Sequence, residues 1–213
     1  MIREKVDGTD GKRQDTIVNE GKMNRKLDKQ VVYEYLRVIP KGKVVTYGQI
    51  AEFLGNKNLA RIVGSILHEN SDGAKYPCYK VVNAKGNLAE NYAFGGVDCQ
   101  RMCLEADGVI VNNNKVDLNV YQWFYADNER LQRIIKMERY FDELLEDNLK
   151  NAEMLRTSKM LQDKIEVLKE YYQSGLWLQD YECDERGELP ENLKRGILSQ
   201  DALYDFFSEN KVG

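Results

Sequence analysis

The chain has 213 residues, 42% of them hydrophobic and 31% charged, with a formal net charge of −4. That is enough for one large domain or two small ones, and no apolar run approaches the roughly 18 residues a membrane span needs. The start, MIREKVDGTDGKRQD, lacks the apolar h-region of a secretory signal, and Cys78, Cys99, Cys103 and Cys183 form no CxxC pair, so a cytoplasmic protein with reduced thiols is expected.

Residues 1–26 are polar, without periodicity, and read as a mobile tail. Apolar positions at helical spacing predict a helix over 28–38, stopped by the turn Ile39-Pro40-Lys41-Gly42. Val44 to Tyr47 is a short β-branched run. Short helices follow at 48–54, closed by Gly55, and at about 59–70. Two such helices joined by a tight turn suggest a helix-turn-helix. Residues 79–94 hold two strand-like pieces around Lys85-Gly86, and 96–107 form a helix capped by Gly108. Val109 to Val111 then leads into the turn Asn112-Asn113-Asn114, read as a domain boundary.

The second half reads as a helical hairpin, with amphipathic helices at 128–148 and about 152–174. Gly175 to Leu178, an acidic loop through Glu191 and a last helix at 199–207 complete it. No internal repeat is visible. Residues 1–112 hold 17 basic and 14 acidic side chains, a balance of +3, whereas 113–213 hold 14 and 21, a balance of −7. The sign change points to two units with different surfaces, of which only the first is suited to a phosphate backbone. The expected fold is mainly α with a small β component. A tail at 1–26 precedes a winged-helix-like, helix-turn-helix DNA-binding domain at 27–112 and an acidic all-α helical-hairpin domain at 113–213.

The segment Tyr76-Pro77-Cys78-Tyr79-Lys80-Val81-Val82 sets a cysteine between a proline and a strand-like run, about a dozen residues after a short helix that carries an arginine. That layout can present one thiol at the floor of a pocket. It resembles the active-site signature Pro-Cys-His-Arg-Val of the O6-alkylguanine-DNA alkyltransferases, with two of five positions changed. The segments IPKGKVVTYGQIA, NLARIVGSILHEN and GGVDCQRMCLEADG extend the resemblance in the family's order, with 14 positions from Tyr47 to Arg61 and eight from Asn70 to Cys78. The second half, in GLWLQDYECDERGELPENLKRGILSQDALYDFF, resembles a small bacterial helical domain of uncharacterised function.

The alkyltransferase resemblance implies roles. Arg61 corresponds to the arginine finger that replaces an extruded guanine in the duplex, where unstacking costs a few kcal/mol. Gly64 and Ser65 keep that helix surface small for the minor groove. Ile62 departs from the family's small residue there and is a candidate wedge against a base step. Tyr47 matches the tyrosine at the phosphate beside the flipped nucleotide, with Thr46 next to it, and Asn70 an asparagine that braces the turn before the cysteine. Tyr47, Pro77, Cys78, Tyr92 and Phe94 are expected to line the lesion pocket. Two extra residues between Cys78 and Gly95 leave open whether Tyr92 or Phe94 fills the family's pocket-wall position.

In the family the cysteine thiolate takes the alkyl group irreversibly, and a histidine, a water and a glutamate draw off its proton. A free thiol is only a few per cent ionised near neutrality. Here Cys78 is kept, but Tyr79 stands at the histidine position, and a phenol is a poor base at neutral pH. Asp107 stands for the glutamate and Lys80 for an arginine, and the single histidine, His68, is on the recognition helix. Lys75 and Lys80 could lower the thiol pKa by proximity. The alkyltransferase-like proteins of this family, which usually lack the cysteine, flip the lesion and hand it to nucleotide-excision repair.

Lesion recognition on duplex DNA carrying O6-alkylguanine is therefore the leading expectation. The alternative is a cysteine S-methyltransferase working through Cys78, with Tyr79 and Asp107 as its relay. A non-catalytic protein-interaction scaffold is a third, since residues 27–112 carry a balance of only +1, from 10 basic and 9 acidic side chains. The expected partners are damaged duplex DNA, excision-repair proteins and an unknown protein for the second half, with no membrane. No cofactor and no metal are expected: Cys99 and Cys103 lie one helical turn apart with nothing nearby to complete a tetrahedral site. The carboxylates from Asp180 to Glu191 lack EF-hand spacing and read as a solvated loop.

Overall fold

The computed structural model describes residues 28–150, 155 and 157–209; the tail read at 1–26 lies outside the described residues. Helix α1 (Lys29–Val38) starts where the Asp28 carboxylate accepts from Gln30 N at 3.0 Å, and it buries Val32, Tyr35, Leu36 and Val38. Strand β1 (Val45–Thr46) runs directly into α2 (Tyr47–Phe53). Thr46 and Gln49 close a capping box there, so Tyr47 is the first helical residue rather than the last of a strand. A 3₁₀ turn over Lys57–Leu59 leads to α3 (Ala60–His68), which packs across α2 as the expected helix pair.

A second 3₁₀ turn, Cys78–Lys80, feeds β2 (Val81–Val82), which pairs parallel with β1 in the register Val45 to Val81 and Thr46 to Val82. This short ladder sets the start of α2 beside the cysteine turn. The second strand-like piece expected before residue 94 does not form; its one ladder contact is a bridge from Asn87 to Lys115. Helix α4 (Gly96–Ala106) begins after Gly95 at φ +107, where a Cβ would lie 2.6 Å from the Cys99 sulfur, so the position requires glycine on both counts.

Strands β3 (Val111–Asn112) and β4 (Lys115–Val116) form an antiparallel hairpin with Asn113 and Asn114 left-handed at its tip. The Asn-rich turn therefore does not release the chain from the first half. Val116 joins a small core with Val44, Val82, Leu88, Leu104 and Val109, and after α5 (Leu118–Tyr121) Val44 still exchanges backbone bonds with Tyr121 and Trp123.

Helices α6 (Asn128–Lys150) and α7 (Lys159–Gln173) pack against each other as the expected hairpin. The acidic loop expected after Leu178 is instead a helix, α8 (Leu176–Glu185), followed by a 3₁₀ turn over Gly196–Leu198 and α9 (Ala202–Glu209). Its inner face is Trp177, Asp180 and Cys183. A charged residue in the middle of that face cancels the apolar periodicity by which such helices are recognised. One continuous core runs from Val32 of α1 through Leu131, Ile165 and Trp177 to Phe206 of α9. No helix among the described residues is long and apolar enough to cross a membrane.

Asp180 is fully buried, not solvated. Arg133 donates to it from Nε at 2.9 Å and Nη2 at 2.6 Å, Arg130 Nε at 3.1 Å, and the Tyr171 hydroxyl at 2.9 Å. The carboxylate thus pins α8 to α6 and α7. Removing one partner of such a group strands the others, at a cost of about 3–5 kcal/mol. Asp180→Ala is expected to lower the urea midpoint by a corresponding amount, and an unchanged midpoint would remove the carboxylate from the stability argument.

Candidate thiol pocket and nucleic-acid interface

Cys78 is only 4% exposed. The side-chain amide of Asn70 donates to its sulfur at 3.3 Å and to the Tyr76 carbonyl at 2.9 Å, while the Asn70 carbonyl oxygen accepts from Asp72 N at 3.1 Å. One side chain therefore both braces the turn, as expected, and contacts the thiol. The Cys78 thiol reaches the Tyr92 hydroxyl at 3.9 Å. Of the two candidates, Tyr92 is the one whose hydroxyl meets the sulfur; Phe94 leans on its ring at 5.7 Å and packs over Gly73, where a Cβ would stand 3.2 Å from it. Burial pushes the thiol pKa up, and the bonds from Asn70 and Tyr92 offset only part of that. Burial, with the nearby sulfur second, also raises the phenol of Tyr47.

The residues at the relay positions turn elsewhere. Tyr79 faces Asp107, and its phenol is pushed up to about 12 by burial first and by Asp107 second. No hydrogen bond joins Tyr79 to Cys78 among the described residues. Lys80 is buried, with its ammonium 3.2 Å from Asp107 Oδ2, 3.0 Å from the Ile39 carbonyl and 2.9 Å from that of Pro40. Lys75 lies over the Tyr76 ring at 5.1 Å. Neither lysine is among the largest influences on the thiol, which are burial, Asn70 and Tyr92. Pro77 and Tyr79 instead border an open groove, with Glu191 to Lys194 of the second half on its far bank.

Arg61 sits at the first turn of α3, exposed, its guanidinium without a hydrogen bond or ion pair among the described residues. Val63, Ile66 and Leu67 face the core, so Arg61 and Ser65 form the outward ridge. Gly64 lies against Tyr47, 3.9 Å from a built Cβ to the ring, which places α3 and the start of α2 in contact near the sulfur. Thr46, the DNA-binding candidate beside Tyr47, is 7% exposed, and its hydroxyl accepts from Gln49 N as the α2 cap.

The family profile for "6-O-methylguanine DNA methyltransferase, DNA binding domain" matches residues 28–109. The chain is 37% identical over 93 residues to a DNA base-flipping protein of Vibrio parahaemolyticus, covering 43% of this chain and 91% of that one. Through this region the chain belongs to the O6-methylguanine-DNA methyltransferase family. It is also 32% identical over 97 residues to alkyltransferase-like protein 1 of Schizosaccharomyces pombe, covering 43% and 90%. A bifunctional methyltransferase/endonuclease of Picrophilus torridus is 34% identical over 126 residues, 55% of this chain, which spans only 42% of that protein's length. Residues 134–212 match a domain of unknown function (DUF4298).

Within this methyltransferase-family half, the structure brings Asn70 and Tyr92 onto the Cys78 sulfur with Tyr47 near it, turns Pro77 to the open groove, and leaves the Arg61 guanidinium of α3 without a hydrogen bond or ion pair among the described residues. It sets Tyr79 and Asp107 together, apart from the thiol. One supporting residue escaped the sequence reading. Gln100 of α4 is 1% exposed, donates to the Tyr79 and Val81 carbonyls at 3.0 and 2.9 Å, and accepts from Ala89 N at 2.7 Å. It clamps the cysteine turn; a polar residue inside an otherwise ordinary helix pattern was its only trace. Because the folded thiol holds its proton more tightly than a free one, Cys78 carbamidomethylation followed by peptide mass spectrometry against pH should show its midpoint above that of free cysteine, about 8.5. Tyr92→Phe should move it further up. A midpoint below free cysteine would overturn this description of the pocket.

Proposed function

We propose that the chain recognises O6-alkylguanine in duplex DNA, using Arg61 to hold the place of the extruded base and the pocket beside Cys78 to receive it. The observation that carries this reading is the thiol itself. It is buried, its pKa is raised, and the side chain at the base position faces Asp107 instead of the sulfur. The free guanidinium of Arg61 and the relatives named DNA base-flipping protein and alkyltransferase-like protein 1 support the same reading. Cys78 marks where the alkyl group rests and does not depend on being ionised to do so. We assign this role to residues 28 to about 123, in the cytoplasm, and give the acidic half a protein partner, with excision-repair proteins the class that a lesion marker requires.

A second reading, alkyl transfer to Cys78, is favoured by one contact: the Asn70 amide donates to the sulfur and stabilises a thiolate. Mass spectrometry after incubation with an O6-methylguanine duplex separates the two. Recognition requires lesion-selective binding with no mass gain on the protein, and weakening of about tenfold or more in Arg61→Ala, since the finger offsets an unstacking cost of a few kcal/mol. A gain of one methylene that disappears in Cys78→Ala means transfer. Equal, weak binding of damaged and plain duplex that Arg61→Ala leaves untouched removes the DNA reading and leaves the scaffold. Tyr79→His is expected to speed any transfer, because an imidazole at that position can relay the thiol proton where a phenol at about 12 cannot.

A further inference from the structure

Ile62, read from the sequence as a candidate wedge, is the exposed residue of the first turn of α3 that the proposed function does not use. It is a large apolar side chain, 46% exposed, immediately after Arg61. A single exposed apolar residue is ordinary on its own. Its position is what gives it content. At 100° per residue, Arg61 and Ser65 form the crest of the helix, with Gly64 on one flank and Ile62 on the other. The Gly64 flank is filled by Tyr47, which stands near the thiol. Ile62 thus lies on the side of Arg61 turned away from the pocket. Isoleucine in a helix is also held near one χ1 rotamer, so its apolar tip is a rigid projection that loses little freedom on contact.

We propose that Ile62 is an apolar wedge, entering the base step next to the orphaned base on the strand that is not flipped, and so holding open the gap that Arg61 fills. The inference rests on the recognition role of α3 and adds to it a second inserting side chain, on the opposite side of the finger from the pocket. Apolar wedges between base steps unstack and kink a duplex, which gives an observable separate from affinity. Ile62 is not one of the buried core residues of α3, which are Val63, Ile66 and Leu67, and alanine is the better helix former.

The full chain and an end-labelled O6-methylguanine duplex supply the test, with affinity read by anisotropy and bending by energy transfer between the duplex ends. Ile62→Ala is expected to weaken lesion binding about tenfold and to reduce the bend, while Ile62→Leu, which keeps an apolar projection, should stay within about threefold of the original. If Arg61→Ala weakens binding but Ile62→Ala changes neither affinity nor bend, the wedge is refuted and lesion recognition stands. If the unaltered chain binds damaged and plain duplex alike, both fall together.

Discussion

A buried ion pair holds the first half of the molecule in register. Lys80 leaves the cysteine turn, Asp107 closes α4, and the two meet at 3.2 Å with almost no access to water. Each is otherwise satisfied by a third segment, the turn after α1: the ammonium donates to Ile39 and Pro40, and Asp107 accepts from Gly42 N at 3.0 Å. A lysine or aspartate buried without such partners would cost several kcal/mol. The pair therefore fixes the angle at which Pro77, Cys78 and Tyr79 emerge relative to α1 and α4. It also commits Asp107. A carboxylate that already accepts from a lysine and a backbone amide, and that Tyr79 faces, is placed to orient the segments around it.

This constraint separates two tasks that share a few residues. Positioning the sulfur is done by Asn70, Gln100 and the β1–β2 ladder, all of them complete in hydrogen bonds. Ionising the sulfur needs a nearby charge or base, and the groups closest to it are an amide and a phenol. In a low-dielectric pocket the neutral thiol is the stable form under those conditions. A site can thus be accurate in shape and unreactive in charge. On the proposed reading, the burial that would shelter a flat base beside Cys78 is also what holds the proton on the sulfur.

The first half was legible because its signals are local. Asp28 and Thr46 cap helices by residue type, Val81-Val82 reads as a strand, and the spacing of Tyr47, Arg61, Asn70 and Cys78 carries the site. What was not legible was direction. No pattern says that Tyr79 turns towards Asp107, or that Lys80 points into the Pro40 turn, because these contacts join residues 28 and 40 positions apart. The same holds for α8. Asp180 breaks the apolar stripe, and only the arrival of Arg130, Arg133 and Tyr171 makes a buried carboxylate acceptable there. The hairpin at Asn113 and Asn114 confirms the turn signal, while the packing of the first half continues past it through Val116.

Charge explains how such a protein can be selective. Affinity for plain DNA comes mostly from phosphate neutralisation and counterion release, and it grows with the number of basic contacts. Residues 27–112 carry a balance of +1, and the half packed against them is acidic. If the low balance holds at the DNA-facing surface, few phosphates are neutralised, and binding to undamaged duplex is expected to be weak with a shallow salt dependence. On the proposed reading, the remaining affinity comes from contacts made only when a base has left the stack: Arg61, Ile62 and the buried site at Cys78. A low net charge, which first counted against DNA as a partner, is on this argument what lets a small pocket outweigh a long backbone.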